Sequence, residues 1–377
     1  MLHIRVKTED LKKSIAQTSS VADKRTTMPI LNNVLVHTEN DQLVVTATDL
    51  ETTFQANYPA EIFEEGRIAI PAKTFSTVIG ACVSEHIEIK ETDNHSMDLS
   101  SGSFKLTLFG LSPTNFPKIP EFSDVALTQI ESKDLLDAVN KVGFSMSTTD
   151  HVYTLNGVNL LKEGGDLSEP ELKFVSTDSQ RLNVCALTGI ALNDLNIEPT
   201  GIIIPSKGVQ ELKNLAESSE FISIGVSSNH FIAKSDRATL QIRLKDGAFP
   251  DYKPIIPKEN DQIVWLDRKE FISCLKRVNI VTHPKNPEAR FVFSNNLLTI
   301  TVTNPELGQA QECMNVDYTG EEITTAFNPV FLLEVAGAMK SERIAIASKP
   351  DVATYLITGP EDPSYNAVVV SMTISQE

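Results

Sequence analysis

Three related strand–turn–strand segments recur along the sequence. In each, an apolar strand runs into a short polar turn that carries an Asp or an Asn. The segments occupy residues 46–51, 174–182 and 301–306. Their spacing, roughly a third of the chain, predicts a protein built from three similar units. Only the middle segment continues into an Arg-Leu pair, Arg181 and Leu182.

Each unit contains two places where a strand leads directly into a helix. The first opens the unit, with the predicted N-caps Thr8, Ser132 and Asp267. The second has a proline at the helix start, where proline is tolerated, at Pro71, Pro205 and Pro329. Alternating strands follow each helix. We therefore expect an α+β fold of three repeated domains, each with two strand-helix-strand-strand-strand halves whose helices pack on sheets.

Proline-rich linkers separate the units. They span residues 113–124 and 247–261, and each places an aromatic residue beside a proline, at Phe116 and Phe249. Because the linkers are short, we expect them to be ordered and docked by these aromatic side chains. The predicted domains are residues 1–122, 123–256 and 257–377.

Composition argues against several classes of protein. Hydrophobic content of 41% is ordinary for a soluble globular protein. No apolar run approaches the roughly 20 residues of a membrane helix, and the N-terminus alternates like a strand, unlike a signal peptide. We therefore expect a cytoplasmic protein without membrane contact. The four cysteines and seven histidines are scattered, which predicts no disulfide framework, metal site or cofactor.

Asp49 and Asp178 are the candidates for a catalytic carboxylate pair. The third repeat has Asn304 at the matching position, so a polar side chain that bonds its own turn backbone explains all three copies better. No phosphate-binding glycine loop or nucleophile elbow occurs. The sequence therefore predicts no catalytic residues and no enzyme.

Basic residues recur on or beside the predicted helices, although the net charge of −17 argues at first against nucleic acid. Separate solvated helix faces are one interpretation. A shared basic surface is the other, and repetition on equivalent helices favours it. The residues are Lys12, Lys13, Lys24, Arg25, Lys73, Lys133, Lys141, Lys207, Lys213, Lys276, Arg277 and Lys340.

Four short motifs follow one another along the chain. They are Thr-Met-Pro-Ile-Leu-Asn-Asn at 27–33, Thr-Asp-Leu-Glu at 48–51, Thr-Asp-Ser-Gln-Arg-Leu at 177–182 and Phe-Pro-Asp-Tyr at 249–252. Together they resemble the bacterial DNA sliding clamp family, the beta subunit of DNA polymerase III, over essentially the whole chain. The resemblance implies a head-to-tail homodimer that closes into a ring, with helices lining the hole and sheets outside. Such a ring encircles double-stranded DNA, slides without sequence preference and serves DNA replication as a non-catalytic processivity factor.

The resemblance also implies contacts with DNA and with a second copy. It adds Arg25, Thr149, Tyr153 and Lys207 as DNA contacts to Lys24 and Lys73 from the basic set. The edge strand 104–108 would pair with a strand of the other copy's third domain, with Leu106 and Leu108 near Ile280 and Val281.

Partner proteins would bind a pocket between the second and third domains. The partners implied are the replicative DNA polymerase alpha subunit, the clamp loader and other proteins with a clamp-binding peptide, which carries a glutamine and Leu/Phe anchors. The residues carried over are Leu155, Thr177, Ser179, Gln180, Arg181, Leu182, Pro250, Pro254, Ile255, Val369, Val370, Ser371, Met372 and Thr373. The apolar members would form the cavity, and Arg181 and the Thr177 hydroxyl would bind polar groups of the peptide.

The sequence departs from the family pattern in three places. Thr154 replaces a second tyrosine, Ser179-Gln180 replaces Gly-His, and the tail from Val370 to Ile374 replaces Met-Pro-Met-Arg-Leu and is three residues longer. Such a rim is more flexible and less cationic, which predicts a different peptide preference. Drift on a tolerant terminal strand is the alternative explanation.

Two other functions are weaker alternatives. A scaffold or carbohydrate-binding repeat protein would need an exposed aromatic face, but aromatic content is 6% and Trp265 is the only tryptophan. A hydrolase using Asp49 or Asp178 would lose activity on Asp178→Asn.

Overall fold

The structure of the protein is a computed structural model. It describes residues 1–22, 27–122, 124–149, 153–164, 169–192, 195–258, 260–350 and 352–373. The helices are α1 (Thr8–Val21), α2 (Ala72–Ala81), α3 (Ser132–Val142), α4 (Ser206–Glu217), α5 (Arg268–Asn279) and α6 (Pro329–Ala338).

The strands alternate with these helices in a regular order. In chain order they are β1 (His3–Lys7), β2 (Asn33–Glu39), β3 (Gln42–Thr48), β4 (Thr52–Glu64), β5 (Arg67–Pro71), β6 (His86–Thr92), β7 (Ser96–Ser101), β8 (Phe104–Phe109), β9 (Thr128–Glu131), β10 (Gly157–Glu163), β11 (Glu171–Thr177), β12 (Arg181–Leu187), β13 (Ile202–Pro205), β14 (Phe221–Ser227), β15 (His230–Lys234), β16 (Ala238–Arg243), β17 (Gln262–Asp267), β18 (Ala289–Ser294), β19 (Leu297–Asn304), β20 (Gly308–Asn315), β21 (Ile323–Phe327), β22 (Arg343–Ser348), β23 (Thr354–Thr358) and β24 (Tyr365–Val370).

The first of two compact units comprises residues 1–136, 190–197 and 204–245. Its strands pair in the order β8-β7-β6-β1-β4-β16-β15-β14-β9, and β3, β2 and β5 branch from β4. The 13-residue β4 permits this branch, because its end pairs with β1 while its start pairs with β3 and β16. Helix α1 contacts α2, α4, β3 and β4, so the apolar sides of helices and sheet are buried together.

The second unit comprises residues 137–189, 198–203 and 246–377. One of its sheets has the order β13-β10-β11-β12-β24-β23-β22-β17, and another has the order β20-β19-β18-β21. Helices α5 and α6 contact each other, and α5 also contacts β19 and β20. The pairing of β12 with β24 brings the Arg-Leu pair beside the C-terminal strand.

The predicted α+β architecture is confirmed. Strand, helix and three strands follow one another six times in the described residues, as β1-α1-β2-β3-β4, β5-α2-β6-β7-β8 and so on to β21-α6-β22-β23-β24. The division into two compact units does not test the predicted domain bounds at residues 122 and 256, which remain predictions. Strands of adjoining repeats pair with each other, β4 with β16 and β12 with β24.

Of the three predicted N-caps, only Asp267 is confirmed. Its carboxylate accepts a hydrogen bond from the Glu270 amide at 2.7 Å. Thr8 and Ser132 are instead the first helical residues. The Thr8 hydroxyl donates to the Ser84 carbonyl at 2.6 Å, and the buried Ser132 hydroxyl has no hydrogen-bond partner among the described residues. Both predictions were wrong because each of these helices begins at the hydroxyl residue itself, whereas α5 begins one residue after Asp267.

Both linkers are docked by aromatic side chains, as predicted. Phe116 packs in a buried cluster with Ile30, Leu31 and Ala69. Phe249 packs in a second cluster, which forms part of the candidate site.

Candidate functional site

The middle repeated turn is held by its own side chains. The Thr177 hydroxyl donates to the Arg181 carbonyl at 2.6 Å and accepts from the Ser179 amide at 3.1 Å. One carboxylate oxygen of Asp178 accepts from the amides of Gln180 and Arg181, each at 3.0 Å. Ser179 adopts a positive φ of 74°. The predicted structural role of Asp178 is therefore confirmed.

The equivalent turns use the same device. Asp49 accepts from the amides of Glu51 and Thr52 at 3.0 and 2.6 Å. In the third copy Asn304 accepts from the amides of Glu306 and Leu307, at 3.0 and 3.3 Å. An amide in place of the carboxylate therefore still holds the turn, and the charge of the two aspartates is available for another contact.

Arg181 is engaged inside the protein. The side chain is 7% exposed, and each of its three nitrogens donates a hydrogen bond, to Asp178 at 2.9 Å, to the Phe144 carbonyl at 2.7 Å and to Glu334. The guanidinium also lies 4.2 Å from the ring centroid of Phe331. Both Arg181 and Thr177 therefore already hold the wall of the site through their side chains, and their expected role in binding polar groups of a ligand stays a prediction.

An apolar cluster lies beneath this turn. Leu155 and Leu182 pack with Val368 of β24 and with Phe249 and Tyr252 of the linker. Burial, together with the nearby Glu163 carboxylate, raises the pKa of Tyr252 to about 12. The two linker aromatics were missed as site residues, although they belong to the Phe-Pro-Asp-Tyr motif that predicts docking of the linker.

The C-terminal segment closes one side of the cluster. Val369 is buried in β24, and the Val370 amide donates to the Gln180 carbonyl at 2.9 Å. Beyond the strand, the Met372 amide donates to the Ala326 carbonyl at 2.7 Å. The chain is thus fixed by backbone hydrogen bonds through Met372, and the substituted tail residues do not detach it.

The predicted pocket residues therefore divide into a buried wall and an accessible rim. The buried members are Leu155, Thr177, Arg181, Leu182 and Val369. The half-buried members are Val370, Ser371 and Met372. The exposed members are Ser179, Gln180, Pro250, Pro254, Ile255 and Thr373.

The predicted DNA contacts lie on exposed surface where the structure describes them. Lys73 on α2, Thr149 and Tyr153 are exposed. Lys207 on α4 pairs with the second carboxylate oxygen of Asp49 and donates to the Val21 carbonyl at 3.2 Å. Lys24 and Arg25 lie outside the described residues.

Lys141 does not belong to an exposed basic surface. It is 2% exposed, and its ammonium lies 2.9 Å from Asp137 and 2.7 Å from Asp362. The ammonium is also 5.4 Å from the ring centroid of Tyr365. This lysine therefore ties α3 to the segment before β24, and the prediction of a solvent-facing cation was wrong here because its acidic partner is 221 residues away.

The predicted dimer residues fall at sheet edges or near them. Strand β8 ends one sheet and β20 ends another, so each has only one neighbouring strand among the described residues. On β8, Leu106 is half-buried and Leu108 is buried. Ile280, just after α5, is 76% exposed, and Val281 is half-buried.

The described residues show no arrangement typical of a metal centre. They contain no group of three or more His, Cys, Asp and Glu side chains placed to hold a metal ion. None of the helices in this part of the chain is long and apolar enough to cross a membrane.

Family models match the chain in three consecutive segments. The N-terminal, central and C-terminal domains of the DNA polymerase III beta subunit match residues 2–120, 129–251 and 253–373.

Relatives and solved structures agree with these matches. The chain is 30% identical to the beta sliding clamp of Pseudomonas putida, over 99% of this chain and all of the relative. The Caulobacter crescentus beta sliding clamp superposes with a TM-score of 0.92 at 27% identity, covering 99% of this chain and all of that one. The Bartonella birtlesii clamp, solved with griselimycin, gives the same TM-score at 26% identity and the same coverage. The chain therefore belongs to the bacterial DNA sliding clamp family, the beta subunits of DNA polymerase III.

Proposed function

We propose that two copies of this chain join head to tail into a ring that encircles duplex DNA. The ring slides without sequence preference and tethers the replicative polymerase, as a non-catalytic processivity factor in the cytoplasm. Membership of the sliding clamp family supports the polymerase partnership, and the following surfaces support the finer parts.

The unpaired edges of β8 and β20 carry the ring proposal. An edge strand exposes unpaired N–H and C=O groups, which favour pairing with another chain. Phe109 at the end of β8 is 80% exposed, and Ile280 lies on the unit that carries β20. Pairing β8 of one copy with β20 of the other is a heterologous contact, which forms a closed ring only if the rotation fits. We propose that two copies complete it.

A net charge of −17 is compatible with a ring on DNA. Each phosphate that a protein neutralises adds salt-dependent affinity and resists movement along the duplex. Enclosure retains the ring without tight binding, so a few exposed groups such as Lys73 and Lys207 are sufficient. We propose that Lys24, Arg25, Thr149 and Tyr153 complete this set.

The wall and rim around the middle turn form the proposed partner pocket. Leu155 and Leu182 supply an apolar surface, and the exposed Ile255 extends it at the rim. A short peptide with apolar anchors matches such a surface, and modest affinity permits exchange between the polymerase alpha subunit, the clamp loader and other partners. The Bartonella relative's complex with griselimycin supports a ligand site in the family. Thr373 stands where the family pattern has an arginine, which makes this rim less cationic.

Loss of the dimer contact tests the ring. Ile280→Lys places a charge at the proposed interface, so sedimentation should give a monomer that no longer remains on circular DNA. Val83→Lys is the matched control, because Val83 is also an exposed aliphatic residue just after a helix, at 94% exposure. A dimeric Ile280→Lys protein with full DNA retention would refute the proposed interface.

A further inference from the structure

A second cavity lies beside the first repeated turn. It has a volume of about 130 Å³ and lies within the first unit. Its lining includes Thr48 and Thr53 from the hairpin, Pro117 and Pro120 from the first linker, and Gln241 from β16. The proposed clamp function does not use this cavity.

The cavity is the internal counterpart of the proposed partner pocket. In the partner pocket, Leu182 of β12 stands opposite Val368 of β24. In the first unit, Thr53 of β4 stands opposite Gln241 of β16. The hairpin turns have equal length, since Thr48 pairs with Thr53 as Thr177 pairs with Leu182. The linkers also correspond, because each is docked by an aromatic residue on the cluster of its own unit.

The two sites differ in polarity. Thr53 and Gln241 occupy the positions of Leu182 and Val368, so an apolar wall has become a hydrogen-bonding one. Gln241 is 7% exposed, and its amide nitrogen donates to the Pro120 carbonyl at 3.2 Å. Its side-chain oxygen is buried and has no hydrogen-bond partner among the described residues. A buried acceptor without a donor is unfavourable, so a ligand that brings a donor gains affinity there.

The remaining lining is mixed: it includes Leu50 and Ile119 and two exposed residues of opposite charge, Glu51 and Lys118. His230 lines the cavity, and burial, followed by the charge of Arg243, lowers the pKa of its imidazole, so the ring is neutral at pH 7. A neutral imidazole offers one N–H donor and one acceptor. The hydroxyls of Thr48 and Thr53 bond each other at 2.8 Å. Pro117 and Pro120 have no N–H, so only Lys118 and Ile119 can donate from the linker side of the lining.

We propose that this cavity binds the carboxamide side chain of a glutamine or asparagine in an extended peptide segment. The carboxamide nitrogen would donate to the free oxygen of Gln241, and the carboxamide oxygen would accept from the His230 N–H. A volume of about 130 Å³ accommodates one such side chain. A carboxylate has no N–H to give the Gln241 oxygen. A charged group of either sign would also lose hydration, since the charged residues of the lining, Lys118 and Glu51, are exposed.

Titration with small probes tests the proposal on the full chain. Saturation-transfer NMR with N-acetylglutamine N-methylamide should show weak, saturable binding. The corresponding glutamate and norleucine derivatives should bind about fivefold more weakly, the effect of one lost neutral hydrogen bond. Gln241→Leu should weaken binding of the glutamine probe by about the same factor. Gln42→Leu is the matched control, an exposed glutamine of the same sheet, and should bind as wild type does.

Three results would overturn the assignment. They are no saturable binding of the glutamine probe, equal binding of the norleucine probe, and unchanged binding to Gln241→Leu. Gln241→Glu is a second, isosteric variant that keeps an acceptor and adds a charge. This variant should bind the corresponding lysine derivative more tightly than the glutamine probe. If it still binds the glutamine probe more tightly, that result would also count against the site. DNA retention is measured separately, so failure here leaves the clamp function unaffected.

Discussion

Replacing Lys141 with methionine tests whether its buried ion pair holds the second unit together. The substitution keeps the length of the side chain and removes the cation that lies 2.7 Å from Asp362. Asp362 is only 4% exposed, and it would retain backbone donors, including the Ser341 amide at 3.3 Å. Removing one partner of a buried pair typically costs about 3–5 kcal/mol of unfolding free energy, and we expect a loss of that size at pH 7.

The loss should shrink as the pH falls. Burial raises the pKa of Asp362, but hydrogen bonds from Lys141 and the backbone outweigh it, so the pKa lies below its ordinary value of 3.8. In wild type this carboxylate therefore stabilises the fold above pH 3.8, and the contribution disappears as the pH falls through the lowered folded pKa. Without Lys141 the pKa of Asp362 should rise. The variant then takes up a proton at a higher pH than wild type does, which removes the unpaired charge.

Urea unfolding at pH 7 and pH 4, at one fixed protomer concentration, measures both effects. Lys340→Met is the matched control, because Lys340 is 64% exposed and pairs with Asp137 at 2.8 Å. An exposed pair contributes about 0–1 kcal/mol. A loss for Lys141→Met that is below 1 kcal/mol, or equal at both pH values, would refute the reasoning.

The other predictions concern the turns, a glycine and the pocket. Asp49→Asn should keep its turn but release Lys207, which the carboxylate holds. The released lysine can then neutralise a phosphate, so the log–log slope of DNA affinity against salt concentration should steepen by about 0.9. Asp178→Asn should leave that slope unchanged, and equal slopes for both would contradict the assignment. Gly201→Ala should lower the midpoint of thermal unfolding more than Gly189→Ala does. Both glycines have a positive φ, but of the two only Gly201 has neighbouring atoms that an added Cβ would meet, the nearest at 2.6 Å. In a fluorescence titration, Met372→Ala should weaken binding of a clamp-motif peptide, whereas Gly189→Ala should not. Equal peptide affinities of the two variants would exclude the Met372 side chain from the pocket.

Local chemistry in the sequence was enough to predict the repeated turns and the docked linkers. Asp178 bonds amides two and three residues away, so short-range pattern decides its role. Phe116 and Phe249 lie in short, proline-rich segments, so the adjacent core is the site at which each apolar ring can be buried. The order of strands and helices followed from the same kind of local periodicity.

Contacts between distant residues could not be predicted in this way. Arg181 pairs with Glu334, which lies 153 residues away, and nothing in the sequence near Arg181 distinguishes a buried arginine from one that binds a ligand. Lys141 has the helical spacing of a surface lysine, but its burial depends on Asp362. Thr8 and Ser132, predicted as N-caps, are the first helical residues, one position past the cap, which the local sequence does not mark. Sequence reasoning therefore named the residues of this wall but did not predict the internal contacts that hold its arginine.

The central claim, that the ring surrounds DNA, is tested most directly by topology. The protein is loaded onto a nicked circular plasmid by the clamp loader with ATP, and the fraction that stays bound is followed by gel filtration before and after one restriction cut. Encirclement predicts prolonged retention on the circle and rapid loss from the linear product at the same salt concentration. Equal retention on circular and linear DNA would contradict the account.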